Sequence, residues 1–128
     1  MKKIIYTTNV AEPIGPYSQA IETNGTLYIS GQIPMTVAGH FNAEMSIEEQ
    51  TLLVLKNIQA ILEAAGYELS DVVKTTIFLS DIEMFSKVNE VYAQFFNTDF
   101  PPARETVAVK ALPKLVDVEI SAIAVKAV

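Results

Sequence analysis

Residues 72–110, VVKTTIFLSDIEMFSKVNEVYAQFFNTDFPPARETVAVK, decide the fold of this chain. The β-branched run Val72–Leu79 predicts a strand. A Ser-x-x-Glu spacing from Ser80 to Glu83 predicts a capping box that opens a helix, and Pro101-Pro102 ends the helical pattern. The apolar stripe of that helix is Phe85, Val88, Tyr92, Phe95 and Phe96. A second strand at Glu105–Lys110 follows, and a strand, a helix and a strand in succession predict a crossover unit with helices packed on a sheet.

The chain before this stretch predicts a hairpin and a longer helix. Two short strands, Ser18–Glu22 and Thr26–Ser30, flank Asn24-Gly25, a dipeptide suited to the positive φ angles of a type I′ turn. Another Ser-x-x-Glu spacing, Ser46–Glu49, predicts a capped helix start, and Gly66 is placed to end that helix. Its apolar face is formed by Val54, Ile58, Ile61, Leu62 and Ala65.

The last predicted strand, Val116–Val125, has two different faces. Its apolar face carries Val116, Val118, Ile120, Ala122 and Ala124, and the other face carries Asp117, Glu119, Ser121, Ile123 and Val125. If helices cover the first face, the half-apolar second face predicts a subunit interface, because a monomer gains nothing by exposing Ile123 and Val125. With a short strand at Lys3–Thr7, the element order is ββ(β)αβαββ, an α/β fold in one domain spanning residues 1–128.

Composition narrows the function classes. The chain has 9 Lys plus Arg against 15 Asp plus Glu, a net charge of −6 that argues against a nucleic-acid partner. The sequence lacks Cys, and His40 is its single histidine, so thiolate zinc sites and histidine metal clusters within one chain are excluded. No apolar run approaches the roughly 18 residues of a membrane span. The apolar run Ile4-Ile5-Tyr6 is also too short for the apolar region of a signal peptide, so we expect a cytoplasmic protein.

Two charged residues are candidates for chemistry. Arg104 follows a proline-stiffened segment at the start of a strand, where a well-placed guanidinium suits bidentate binding of a carboxylate. Its alternative interpretation is an exposed arginine, free or salt-bridged, beside Glu105. Glu119 lies in mid-strand, where a carboxylate is expensive to bury unless it has a role such as acid/base catalysis or the orientation of water. Its alternative is an ordinary outward-facing strand residue.

Several polar or small residues are weaker candidates. Tyr17 follows a proline-containing turn, and Ser30-Gly31 ends the hairpin, where a residue without a side chain lets a ligand approach the backbone. Taken one at a time, such residues are more often part of a turn.

Five ordered segments indicate a family. The sequence resembles the Rid (reactive intermediate deaminase) family, and within it the RidA subgroup, from about Ile5 to Val125. The resemblance is carried by Gly15-Pro16-Tyr17-Ser18-Gln19-Ala20, Ser30-Gly31-Gln32, Pro102-Ala103-Arg104-x-Thr106-Val107, and Leu112-Pro113-Lys114 followed by Val118-Glu119-Ile120-x-Ala122-Ile123-Ala124. Thr106 stands where many relatives carry Cys, and Glu105 stands where a small residue is usual. Strand alternation points Glu105 away from Arg104.

The resemblance implies a chorismate-mutase-like fold, with a mixed sheet and two helices on one face, and a homotrimer with sites in the clefts between subunits. It also implies metal-free, cofactor-free hydrolysis of 2-imino acids or their enamines to 2-keto acids and ammonia. By the same resemblance, Arg104 would pair with the substrate carboxylate, and Glu119 would position or activate water. The remaining pocket residues are Tyr17, Ser30, Gly31, Asn89 and Thr106.

Two other functions remain open. The same cleft could serve a ligand-sensing module that binds a keto acid or an amino acid without turnover. Ribonuclease action fits poorly with the acidic balance and the single histidine.

Overall fold

The computed structural model describes residues 1–96 and 99–126, in which two helices cover one face of a six-stranded mixed sheet. The strands are β1 (Lys3–Ile5), β2 (Ala20–Thr23), β3 (Thr26–Gln32), β4 (Val72–Leu79), β5 (Ala103–Ala108) and β6 (Val118–Val125). The helices are α1 (Ile47–Ala65) and α2 (Phe85–Phe96). The strand order across the sheet is β1-β2-β3-β6-β4-β5, with β4 and β5 parallel and the other neighbours antiparallel.

The hairpin and the first helix form as the sequence predicts. Asn24 and Gly25 have φ angles of 50° and 78°, as a type I′ turn requires. The Ser46 hydroxyl accepts a hydrogen bond from the Glu49 N–H at 3.1 Å, and the Glu49 carboxylate accepts one from the Ser46 N–H at 2.9 Å. Gly66 ends α1 with a φ of 79°, which a residue without Cβ adopts at little cost. Local signals therefore suffice for these elements.

The start of the second helix differs from the prediction. Ser80 does not form the capping box: its hydroxyl donates to Asp117 Oδ1 at 2.7 Å. Asp81 caps the segment instead, since its carboxylate accepts a hydrogen bond from the Glu83 N–H at 2.9 Å. A 3-10 turn, Ile82–Met84, then leads into α2. Asp and Ser are about equally good helix caps. Because the Ser80 hydroxyl is bonded to Asp117, the next residue, Asp81, forms the cap.

Asp117 also connects the start of β6 to α1. Gln50, which is only 1% exposed, donates from Nε2 to Asp117 Oδ2 at 2.9 Å and accepts the Asp117 backbone N–H at 3.0 Å. Together with Ser80, these bonds connect α1, the end of β4 and the beginning of β6. They fix where the final strand enters the sheet.

The crossover and the two faces of the sheet are confirmed. β4 runs through α2 into β5, and the two strands pair in parallel. On β4, Thr75, Ile77 and Leu79 are fully buried against the helices, and on β6 the predicted apolar face is buried as well. The opposite side, here called the open face, is half-buried; its residues include Thr76, Phe78, Glu119, Ser121 and Ile123. Within the described ranges, no helix is long and apolar enough to cross a membrane.

Candidate functional site

Glu119 lies in a pocket on the open face. The cavity measures about 350 Å³ and is lined by Ile14, Tyr17, Ser30, Gly31, Ile33, Pro113 and Glu119; we call it the Glu119 pocket. The Ser30 hydroxyl donates to the Ser18 carbonyl at 2.6 Å, and the Tyr17 hydroxyl accepts the Ile14 N–H at 3.2 Å. These bonds hold the 14–18 turn beside β3. Four of the residues proposed from the sequence, Tyr17, Ser30, Gly31 and Glu119, are therefore brought together.

A bulge in β3 makes room for the carboxylate. Ile29 pairs with Ala122 and Gln32 pairs with Ile120, so β3 contains one more residue than β6 over this interval. A Cβ built on Gly31 would lie 2.4 Å from Glu119 Oε2 and 2.9 Å from its Cδ. The space that a side chain at position 31 would need is thus occupied by the carboxylate itself.

The surroundings of Glu119 favour its neutral form. Burial raises the pKa of the Glu119 carboxyl above its usual value of 4.5. Among the described residues, none donates a hydrogen bond to the Glu119 carboxyl or supplies a positive charge that would lower its pKa again. A raised pKa makes a carboxyl a stronger base, which suits a role in proton transfer.

Arg104 lies in a second group of side chains on the helix side of the sheet. Its Nη1 donates to Asn89 Oδ1 at 2.7 Å. Its Cζ lies 4.9 Å from the centre of the Tyr92 ring and 5.5 Å from that of Phe85, so two aromatic rings contact the guanidinium. We call these four residues the Arg104 cluster. Arg104 remains exposed at the sheet edge, with its charge available to an anion.

The neighbouring Glu105 belongs to the open face, as strand alternation predicts. It accepts a hydrogen bond from the Thr76 hydroxyl at 2.8 Å and forms an ion pair with Lys74 at 3.1 Å. The Thr76 hydroxyl and then the Lys74 ammonium lower the pKa of the Glu105 carboxyl. Glu105 is thus paired with Lys74 and not with Arg104, so the salt-bridged form of the alternative interpretation is wrong, whereas Arg104 is exposed as its other form expects.

The two groups lie on opposite sides of one chain. Arg104 pairs with Thr75 across the β4–β5 ladder, and Thr75 faces the helices. Glu119 pairs with Phe78 across the β4–β6 ladder, and Phe78 is on the open face. Because paired residues point to the same face, the two charged side chains point away from each other within one chain.

Thr106 accompanies Arg104 on the helix side. It pairs with Ile77, and its hydroxyl is buried without a hydrogen-bond partner among residues 1–96 and 99–126. In the same part of the chain, no group of three or more His, Asp or Glu side chains is placed to share a metal ion. His40 is exposed in the loop before α1 and lies outside both groups.

Sequence reasoning missed two aromatic residues of the Arg104 cluster as site components. It assigned Phe85 and Tyr92 to the apolar stripe of α2; Tyr92 is buried at 7% exposure, whereas Phe85 is 38% exposed. The spacing of Phe85, Asn89 and Tyr92, four and then three residues, places them on one helix face beside the strand that carries Arg104. That spacing was the available signal.

Comparisons with known proteins agree with the fold and the signature segments. The profile of the family described as Endoribonuclease L-PSP matches residues 7–126. A RutC family protein of Pyrococcus horikoshii is 52% identical over 126 residues, covering 98% of this chain and 99% of that protein. A human protein named 2-iminobutanoate/2-iminopropanoate deaminase is 43% identical over 126 residues, covering 98% of this chain and 91% of the human one.

A solved structure gives the same result. The crystal structure of YyfA from Yersinia pestis, described as a protein of unknown function of the conserved Rid protein family, has a TM-score of 0.94 at 50% identity. The match covers 98% of this chain and 100% of that one. The expected chorismate-mutase-like arrangement, a mixed sheet with two helices on one face, is confirmed. The chain therefore belongs to the Rid family, which its five ordered signature segments indicated.

Proposed function

We propose that this protein hydrolyses 2-imino acids and their enamine tautomers to 2-keto acids and ammonia. The observation that carries the proposal is the pair of incomplete sites on one chain: an exposed guanidinium held by Asn89 and two rings, and a half-buried carboxyl in a pocket of about 350 Å³. The activity named for the human relative, 43% identical, supports 2-iminobutanoate and 2-iminopropanoate as the substrates to test first.

The two incomplete sites favour assembly with a second copy. Arg104 lies on the edge strand β5, and the Glu119 pocket opens on the face of the sheet that the helices leave uncovered. A neighbouring chain that lays its β5 edge along this face would bring its Arg104 to the pocket. The half-apolar open face supplies the area to bury in such a contact. The homotrimer that the family resemblance implies, with three equivalent clefts, has this kind of arrangement.

The chemistry then follows from the groups present. Arg104 binds the substrate carboxylate through two parallel hydrogen bonds and fixes the C=N carbon over the pocket. Glu119 positions or activates a water, whose oxygen adds to C2 while a proton reaches the nitrogen. Collapse of the resulting carbinolamine breaks the C–N bond and releases ammonia and the 2-keto acid. The substrate carbon is already electrophilic, so these steps require neither a metal nor a covalent nucleophile.

The first experiment follows the decay of 2-iminobutanoate generated in situ by a dehydratase. The wild-type protein should accelerate this decay, and Arg104→Ala should fold normally yet lose most of the acceleration. Saturable binding of 2-oxobutanoate without any effect on imine decay would favour the ligand-sensing module instead. Full activity of Arg104→Ala would remove Arg104 from the mechanism.

The second experiment tests the shared cleft. Arg104→Ala and Glu119→Ala chains are each expected to be inactive, but each retains the half that the other lacks. Co-refolding them in equal amounts should restore about a quarter of the wild-type rate. In a randomly assembled ring, about a quarter of the clefts combine an intact Arg104 from one chain with an intact Glu119 from its neighbour. Activity that stays at the level of the separate variants would contradict a site built from two chains.

RNA cleavage has its own test, because the matching family profile carries the word endoribonuclease. The net charge of −6 and the single histidine argue against it. Cleavage that survives extensive purification and disappears in Arg104→Ala would establish it, and cleavage that fades with purification would exclude it.

A further inference from the structure

Tyr92 forms the floor under the guanidinium of Arg104. The tyrosine is only 7% exposed, and its ring centre lies 4.9 Å from Arg104 Cζ. Asn89 Oδ1 accepts one hydrogen bond from Nη1, and among residues 1–96 and 99–126 no other acceptor engages the guanidinium, so its remaining N–H groups can serve an anion. A single hydrogen bond does not fix the plane of a guanidinium, whereas a ring face beneath it does.

Thr75 fixes the ring itself. Its side chain is fully buried in β4, and its Oγ1 lies 2.7 Å from the Tyr92 hydroxyl oxygen. Thr75 is also the direct ladder partner of Arg104. The Tyr92 hydroxyl is therefore hydrogen-bonded to β4 at the residue that lies directly opposite Arg104 on β5. Tyr92 also packs against Phe96, with ring centres 4.8 Å apart.

We propose that Tyr92, held by Thr75, is a positioning residue that sets the orientation of the Arg104 guanidinium for carboxylate binding. The proposal rests on the proposed function in one respect, the assignment of a carboxylate to Arg104. Tyr92 touches no substrate in this scheme. It acts by reducing the orientations that an exposed arginine side chain would otherwise sample, so less freedom is lost when the ligand binds.

The position of the guanidinium can be measured without any ligand. Arg104 is the only arginine in the sequence, so its Nε–Hε group gives a single, unambiguous NMR signal. The Tyr92 ring current should displace this signal in the wild-type protein. In Tyr92→Leu the signal should move toward the value of free arginine.

A matched control separates positioning from general destabilisation. Tyr67 is another buried tyrosine, 3% exposed, with the Lys126 ammonium 5.4 Å from its ring centre. Tyr67→Leu removes similar bulk and a similar cation contact away from Arg104. The Arg104 signal should keep its wild-type position in this variant.

Binding supplies the second readout, with 2-oxobutanoate as the probe and calorimetry as the method. Tyr92→Leu should bind the probe about fivefold more weakly, which corresponds to about 1 kcal/mol of cation–π stabilisation. The double variant Thr75→Val/Tyr92→Phe keeps the ring beneath Arg104 and removes the hydrogen bond that holds it, so its affinity should lie between those of Tyr92→Leu and wild type, about twofold below the latter.

The outcomes separate this inference from the proposed function. Wild-type affinity and an unmoved signal in Tyr92→Leu would overturn the positioning role, as would equal losses in Tyr92→Leu and Tyr67→Leu. Failure of the wild-type protein to accelerate imine decay, with the expected binding and NMR pattern intact, would overturn the deaminase activity alone. If the wild-type protein did not bind 2-oxobutanoate, the carboxylate assignment would fall, and the free-protein signal would still decide where the guanidinium lies.

Discussion

Gly31 packs so closely on Glu119 that the substitution Gly31→Ala, which adds one methyl group, should displace the carboxylate and lower the activity. The new methyl group would lie 2.4 Å from Glu119 Oε2, whereas ordinary contact begins near 3.4 Å, so the carboxylate must retreat by about 1 Å. Overpacking of a close-packed core costs about 1–3 kcal/mol of unfolding free energy, and the cost here should lie near the lower limit because the nearest displaced atoms end a flexible, half-buried side chain. A misplacement of about 1 Å in a catalytic group can lower the rate by about 100-fold. We therefore expect a folded, slightly destabilised and nearly inactive protein.

A double-mutant cycle tests whether the clash is with Glu119. Urea unfolding would be measured for Gly31→Ala in the wild-type and the Glu119→Ala backgrounds at one protein concentration. Removal of the Glu119 side chain removes the overlapping atoms, so the cost of Gly31→Ala should largely disappear in that background. Gly15→Ala is the matched control, since its Cβ would only contact the Tyr17 ring at 3.4 Å. Equal destabilisation by Gly31→Ala in both backgrounds would refute the reasoning.

Three further predictions concern charge, buried polar groups and backbone strain. Because burial raises the pKa of Glu119 in the folded state, this residue contributes stability below its unfolded pKa near 4.5, and the contribution is lost as pH rises through the folded value. Glu119→Gln should therefore be more stable than wild type at pH 7, with a difference that vanishes toward acid pH in thermal unfolding; a difference independent of pH would contradict the raised pKa. Gln50→Leu should cost about 2–3 kcal/mol in urea unfolding, because it takes the Gln50 partner away from a partly buried Asp117 carboxylate oxygen and from the Asp117 N–H, while Gln59→Leu on the same helix should change stability by less than about 0.5 kcal/mol. Leu115, which is 79% exposed with a φ of 56°, should gain about 0.5–1 kcal/mol of unfolding free energy on replacement by Gly, whereas Leu115→Ala keeps the strained angle and should gain nothing.

Sequence predicted best the features that a few neighbouring residues determine. The Asn24-Gly25 turn and the Ser46 capping box depend on groups within three residues of each other, so their chemistry can be read from the chain directly. The failure at Ser80 has the opposite cause. Its hydroxyl is engaged by Asp117, a partner that only the folded sheet brings near.

The candidate site divides in the same way. Resemblance to the family brought Tyr17, Ser30, Gly31 and Glu119 together, and the structure places all four around one pocket. The separation of Arg104 from Glu119 could not be predicted, because it depends on the ladder registers of β4 with both of its neighbours. An alternating pattern shows which residues of one strand share a face, but it does not relate the faces of two strands that are paired through a third.

The bulge at Ser30 and Gly31 has a consequence for how this gene can change in length. Loss of one codon between Ile29 and Gln32 would restore regular pairing and remove the space that Glu119 occupies, or else reverse the faces of the residues that follow. The exposed 36–38 segment, next to Gly39 with open space around it, carries no such constraint. Insertions and deletions that survive selection should therefore accumulate around Gly39 and be absent from the four codons for residues 29–32, even in descendants whose point substitutions are spread over both regions.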